Sequence, residues 1–168
     1  MFQVWKKITQ DKELPPVSCG DNDIVAMADG TMIDVASVSD PVFAGKMMGE
    51  STAFCYEGSK VVICAPANGE LAVLFPTGHA FGIRMKNGAE LLVHIGIGTV
   101  NAKGDGFCLL DKKQGDKVRA GEPIVEVSLK KLSVQYDMSV MLIVTDDNGK
   151  KIQFQTMNKV QRGQKIIR

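Results

Sequence analysis

Thr77-Gly78-His79-Ala80-Phe81-Gly82-Ile83-Arg84-Met85-Lys86-Asn87-Gly88-Ala89-Glu90-Leu91-Leu92-Val93-His94-Ile95-Gly96-Ile97 is the stretch from which the rest of the chain can be read. Asn87-Gly88 separates two short apolar runs, 80–85 and 90–97, and that dipeptide between such runs signals a tight hairpin. If those two residues form the loop, Lys86 faces Ala89, His94 lies opposite Phe81 and His79 lies opposite Gly96. Side chains alternate across a sheet, so His79 then shares a face with Phe81 and with His94. The two histidines become diagonal neighbours, with backbone positions roughly 7–8 Å apart, within reach of converging imidazoles. A four-residue loop preserves this arrangement. A three-residue loop slips the register by one and sends the rings to opposite faces.

The same pattern continues outward. Further strand candidates are 24–28, 31–37, 52–56, 61–64, 70–75, 107–110, 123–127, 140–144 and 165–167. Asp29-Gly30, Asn68-Gly69, Asp105-Gly106 and Asn148-Gly149 punctuate them. Helix is scarce, limited to a turn or two over 129–135. Many short strands at this spacing predict an all-β fold, an antiparallel β-sandwich or barrel with only short helices. Two internal echoes predict duplicated β-units within it. Met27-Ala28-Asp29-Gly30-Thr31-Met32-Ile33 parallels Pro66-Ala67-Asn68-Gly69-Glu70-Leu71-Ala72. Gly115-Asp116-Lys117-Val118-Arg119-Ala120-Gly121 parallels Asn158-Lys159-Val160-Gln161-Arg162-Gly163. Their irregular spacing argues against a solenoid.

At 168 residues the chain fits one domain, assigned to 21–168, after a flexible N-terminal segment 1–20. Within that segment Met1, Val4, Trp5 and Ile8 share one helical face, with Lys6 and Lys7 elsewhere. The plain reading is a frayed tail. The sharper one is a weak membrane-surface contact through residues 1–10. A net charge of +1 supplies no field for nucleic acid. No apolar run of about 18 residues spans a membrane. The N-terminus lacks a signal-peptide core, which points to the cytoplasm, with association at the inner membrane face as the variant reading. Cys19, Cys55, Cys64 and Cys108 form no C-x-x-C pair, so neither a zinc knuckle nor a redox motif is indicated.

The chain has two histidines. A single histidine in an apolar strand is ordinarily a satisfied core residue; a convergent pair, with Thr77 two residues before one member, points toward chemistry. With an ordinary pKa of roughly 6.5, each ring is mostly neutral at pH 7 and offers a nitrogen lone pair. Such a nitrogen can attack phosphorus without a separate base. A backbone carbonyl holding the other N–H would fix the tautomer. Phosphoryl transfer needs mainly positioning and charge stabilisation, which the second ring, the Thr77 hydroxyl and nearby amides can supply.

Gly88-Ala89-Glu90-Leu91-Leu92-Val93-His94-Ile95-Gly96-Ile97-Gly98-Thr99-Val100 resembles the phosphorylation-site signature of the glucose-type enzyme IIA family of the bacterial sugar phosphotransferase system. Four more segments agree in order and spacing: Asp40-Pro41-Val42-Phe43-Ala44-Gly45-Lys46, Ala65-Pro66-Ala67-Asn68-Gly69, Thr77-Gly78-His79-Ala80-Phe81 and Gly104-Asp105-Gly106-Phe107. The resemblance covers about residues 24–144. It implies that His94 takes a phosphoryl group on Nε2 from the histidine phosphocarrier protein and passes it to a cysteine on the IIB unit of a sugar permease. It implies that His79 stabilises the phosphoryl group and that Thr77 orients His79. The implied docking face comprises Asp40, Val42, Phe43, Met47, Met48, Phe75, Leu92, Gly96 and Val100. No cofactor is required, although zinc bridging His79, His94 and a partner's carboxylate is compatible with the family, as are regulatory protein targets on the same face. Gly98 departs from the pattern, standing where many relatives carry an acidic residue; its loss predicts a weaker rim contact with a basic partner.

Three rivals stand beside this reading. A zinc metallopeptidase needs about three protein ligands, but its H-x-x-x-D pattern would place an aspartate where Ile83 stands, and no H-x-H exists. A lipoyl-type carrier needs a Met-Lys-Met turn, whereas Lys86 is flanked by Met85 and Asn87. A regulatory protein-binding module using the same histidine pair overlaps the main reading.

Overall fold

The computed structural model describes residues 14–168. The amphipathic reading of residues 1–10 lies outside the described residues. The strands are β1 (Gly30–Ile33), β2 (Glu50–Cys55), β3 (Lys60–Cys64), β4 (Gly69–Leu74), β5 (Ala80–Met85), β6 (Glu90–Ile95), β7 (Phe107–Leu109), β8 (Lys117–Val118), β9 (Pro123–Ser128), β10 (Val140–Asp146) and β11 (Lys159–Val160). The helices are short: α1 (Pro41–Ala44) and α2 (Leu129–Leu132), with 3-10 turns at Val35–Ser37 and Thr99–Ala102. Each paired strand runs antiparallel to its neighbours, in an eight-stranded sheet of order β11-β1-β2-β10-β6-β5-β4-β8 and a three-stranded sheet of order β3-β9-β7. No helix among the described residues is long and apolar enough to cross a membrane.

Alternation along the strands places the core. Phe81, Ile83 and Met85 of β5, Leu91, Val93 and Ile95 of β6, and Val140, Leu142 and Val144 of β10 are buried in one cluster with Ile63, Val125 and Val127 of the smaller sheet. Burying each such side chain contributes roughly 1.5–3 kcal/mol. The intervening residues Ala53, Leu92, Met141 and Ile143 point to the other side of the large sheet. There Val35, Val38, Phe43 and Ala44 cover them as a second cluster. Aspartates start both covering turns: Asp34 Oδ1 accepts from Ala36 N–H at 2.9 Å, and Asp40 Oδ1 accepts from Val42 N–H at 2.8 Å. Pro41 at the first helical position of α1 sacrifices no hydrogen bond.

The echoes are structural. β1 pairs with β11 through Gly30–Val160 and Thr31–Lys159, and β4 pairs with β8 through Gly69–Val118 and Glu70–Lys117. Around them Met32 N–H donates to Asn158 O and Leu71 N–H to Asp116 O; Gly163 N–H donates to Ala26 O and Gly121 N–H to Ala65 O. Val25 N–H to Pro66 O and Cys64 N–H to Met27 O exchange with one another under the same correspondence. The two echo units therefore close opposite ends of one sheet about an approximate two-fold axis.

Several expectations are corrected. Residues 24–28 are buried but form no strand; Val25 N–H and Ala26 N–H donate to Pro66 O and Gln164 O, so loops satisfy this segment's backbone. Residues 165–167 contribute only isolated bridges, Val25–Lys165 and Phe154–Ile167. Residues 15–19 lie against the sheet end. Asn68 Nδ2 donates to Cys19 O at 2.8 Å, Arg162 donates to Pro15 O at 2.9 Å, and Val17 packs against Gly121 and Gly163.

The hairpin has a three-residue loop. Its register pairs Ala80 with His94 and Phe81 with Val93, and Met85 N–H donates to Ala89 O at 2.8 Å. Gly88 at φ +89° supplies the left-handed residue that such a loop requires. In an uninterrupted ladder this register would part the histidines. They meet all the same, because His79 lies at a bend before β5, just after Gly78 at φ +77°. Outside the pleated ladder, alternation no longer dictates where a side chain points.

Candidate functional site

β6 carries His94 on the outer face of the large sheet, between Ala80 of β5 and Met141 of β10. The turn before β5 carries His79. Their ring centroids are 5.5 Å apart and nearly perpendicular, at 80°. Each imidazole leans on one phenylalanine: Phe43 of α1 lies 4.9 Å from His94, and Phe75 lies 5.1 Å from His79, edge to face.

Hydrogen bonds orient both rings. His94 Nδ1 lies 2.8 Å from Gly96 O. A carbonyl only accepts, so Nδ1 bears the proton and Nε2 of the neutral ring holds a free lone pair. His79 Nδ1 lies 2.6 Å from Thr77 Oγ1. A hydroxyl can give or take a proton, so this bond fixes the ring's orientation and leaves its tautomer open.

Burial lowers both histidines below the ordinary 6.5. For His94 burial is the largest influence; the Gly96 carbonyl works against it, His79 adds to the lowering, and Asp40 pulls upward. Both rings are therefore neutral at pH 7, which keeps the Nε2 lone pair of His94 available. The His79 side chain has little exposed surface, at 4 %.

The apolar residues expected at the rim divide into two groups. Val42, Met47, Met48, Phe75 and Val100 are exposed, Met47 at 75 %. Phe43 and Leu92 are half-buried and pack against the second cluster. Asp40 is half-buried, its carboxylate engaged in capping α1. Gly96, expected on the docking face, is buried; its carbonyl faces His94 and its N–H donates to Ser139 O. Gly98 is exposed at φ +73°, a conformation that L side chains rarely adopt.

Two imidazoles supply half of a tetrahedral zinc set, and no group of three or more His, Cys, Asp or Glu side chains able to hold a metal occurs among the described residues. The pair alone falls short of the about three protein ligands a catalytic zinc needs, so the metallopeptidase reading is not favoured. α1 itself escaped the strand-based reading. Asp40-Pro41 is a helix-start signal, but four residues are too few to show a period.

Residues 22–151 match the family described as phosphoenolpyruvate-dependent sugar phosphotransferase system, EIIA 1. The chain is 44 % identical over 121 residues to a glucose-specific EIIA component of Halalkalibacterium halodurans, covering 72 % of this chain and 68 % of that protein. It is 35 % identical over 159 residues to a glucose-specific EIICBA component of Staphylococcus carnosus, covering 94 % of this chain but only 23 % of that longer protein. Among solved structures, glucose permease IIA from Mycoplasma capricolum superposes with a TM-score of 0.80 at 35 % identity, covering 86 % of this chain and 93 % of that one. The matched residues include both histidines, and the chain belongs to the EIIA 1 family of the phosphoenolpyruvate-dependent sugar phosphotransferase system.

Proposed function

We propose that the chain is a phosphoryl carrier for sugar uptake, and that His94 Nε2 is the atom that carries the group. The observation that supports this most directly is the Nδ1–H to Gly96 carbonyl bond, which leaves Nε2 unprotonated beside a second imidazole. The Nε2 lone pair forms a new N–P bond as the N–P bond of the phosphorylated histidine phosphocarrier protein breaks. The bonding pair leaves with the donor's ring. In the onward step a thiolate on the IIB unit of a sugar permease attacks phosphorus, and the electron pair returns to Nε2.

The transferring group is anionic throughout, so catalysis is positioning plus charge stabilisation. His79 donates from its second nitrogen to a phosphoryl oxygen, and Thr77 sets the orientation of that ring. The exposed rim of Val42, Met47, Met48, Phe75 and Val100 receives the partner and excludes water from the phosphohistidine. The work is done in the cytoplasm. Zinc at this pair requires a further ligand from a docked protein, and regulatory targets would compete for the same rim.

Intact-mass measurement tests the reading. With phosphoenolpyruvate and the upstream phosphotransfer proteins, one gain of about 80 Da is expected, the mass of one phosphoryl group. The label should be acid-labile and absent in His94→Gln. An acid-stable label, or one that persists in that variant, would remove His94 from the role. His79→Ala should still accept the group but release it slowly; normal onward transfer would exclude His79.

A further inference from the structure

We propose that Asp137 is a positioning residue for phosphoryl acceptance, its carboxylate clamping together the two walls that orient the His94 ring. The inference rests on His94 as the acceptor. Asp137 lies between α2 and β10. Its Oδ1 accepts from the Ser139 N–H at 3.0 Å and from the Ser139 hydroxyl at 2.8 Å. Its Oδ2 accepts at 3.0 Å from the hydroxyl of Ser39, which stands 98 positions away in the chain.

Each partner leads to His94 by its own route. On the Ser139 side, the Asp137 carbonyl accepts from Ile97 N–H at 2.8 Å and the Ser139 carbonyl from Gly96 N–H at 2.9 Å. Those two bonds fix the peptide that presents the Gly96 carbonyl to His94 Nδ1–H. On the other side Ser39 precedes Asp40, the cap of α1, and α1 holds the Phe43 ring against His94. One carboxylate therefore ties the hydrogen-bond acceptor of the imidazole to its aromatic backing.

The charge state suits the task. Burial alone would raise the Asp137 carboxyl, but the hydrogen bonds from Ser139 and Ser39 together outweigh it and hold the group below its ordinary range. The clamp is ionised at neutral pH, and bonds to an ionised acceptor are the stronger kind. Asp137 is also exposed, which limits the size of its effect.

The test combines the free protein with kinetics. Ring-nitrogen NMR of the unphosphorylated chain reports the His94 tautomer. Labelling rates at graded concentrations of the phosphocarrier protein separate kcat from KM. For folded Asp137→Ala we expect a mixture of tautomers and a fall in kcat of about tenfold, the low end for losing an orienting partner. Asp137→Asn keeps one acceptor oxygen and should recover part of both. Ser39→Ala loosens only α1, so it should raise KM while leaving the ring-nitrogen pattern unchanged.

A wild-type ring pattern with wild-type kcat in Asp137→Ala overturns the proposal. Should that variant fail to fold, Asp137→Asn decides instead: a ring pattern and kcat both equal to wild type overturn the proposal, and partial loss supports it. A wild-type chain that takes no phosphoryl group removes the acceptor reading, and the ring-nitrogen pattern still decides whether Asp137 holds the ring.

Discussion

β1–β2 and β4–β5 are copies of one antiparallel strand pair, yet their connections have nothing in common. In the first, residues 34–49 carry a 3-10 turn and α1, and they deliver Phe43 and the exposed Met47 to the outer face. In the second, residues 75–79 make a single tight turn that delivers Phe75, Thr77 and His79. Both connections end at His94, one as a ring 4.9 Å away and the other as an imidazole 5.5 Å away. The sheet ends correspond bond for bond; the loops do not correspond at all. The large sheet thus forms a frame with two matching ends, and the candidate site lies where their connections diverge.

The largest effect should come from testing how equivalent the edges are. A Cβ added at Gly69 would lie 2.1 Å from the Arg84 carbonyl oxygen, whereas at the matching Gly30 it would lie 2.5 Å from the Tyr56 ring and 2.8 Å from the Cys55 carbonyl oxygen. Both sites meet main chain, but the far closer approach to the Arg84 carbonyl demands the larger backbone shift. Gly69→Ala should therefore cost about 3 kcal/mol or more and Gly30→Ala about 1–2 kcal/mol, measured by urea unfolding. Equal losses would show that the two ends yield alike.

The next effect separates the two connections. Phe43→Ala and Phe75→Ala each lose one ring contact worth about 0.5–1.5 kcal/mol. Phe43→Ala should slow acceptance at His94 several-fold, and Phe75→Ala should slow mainly the onward step that involves His79. Rapid-quench labelling in each direction measures both. Identical patterns in the two variants would undo the pairing of each loop with its own imidazole.

The smallest effect is that of pH. The His94 pKa lies below 6.5, lowered by burial and His79 against the pull of the Gly96 carbonyl and Asp40. Acceptance should stay level as pH falls to 6.5 and decline only further into acid, where the ring protonates. His79 is lowered by burial as well. Below 6.5 the unfolded chain binds protons that the folded chain refuses. Stability contributed by the neutral rings is thus present above 6.5 and lost as pH falls through the folded-state values. A labelling rate that already drops between pH 8 and 7 would contradict the neutral pair.

Local pattern carried most of the fold. Alternation and turn dipeptides placed nine of the strands within a few residues, and the echoes foretold the matched β8 and β11 ends. What failed depended on distant partners. The buried run at 24–28 reads as a strand, but loops around Pro66 and Gln164 take its hydrogen bonds. The histidine pair was legible for the wrong reason. Asn87-Gly88 marks a turn but does not say whether Lys86 belongs to it, and the actual register required a bend at His79 to restore the meeting. Asp137-Met138-Ser139 resembles any polar turn, and its reach to Ser39 depends on how two loops fall together after folding.

The partner of His94 Nδ1 is an uncharged peptide oxygen, where a carboxylate would have raised the basicity of the ring. A more basic nitrogen grips phosphorus harder and parts with it less readily. As the proposed phosphoryl carrier, a ring with neutral support would be a competent leaving group as well as a nucleophile, its bond to phosphorus poised between donor and recipient. On the proposed role of His94, transfer would then run either way, its direction set by the supply of phosphoenolpyruvate and the demand at the permease.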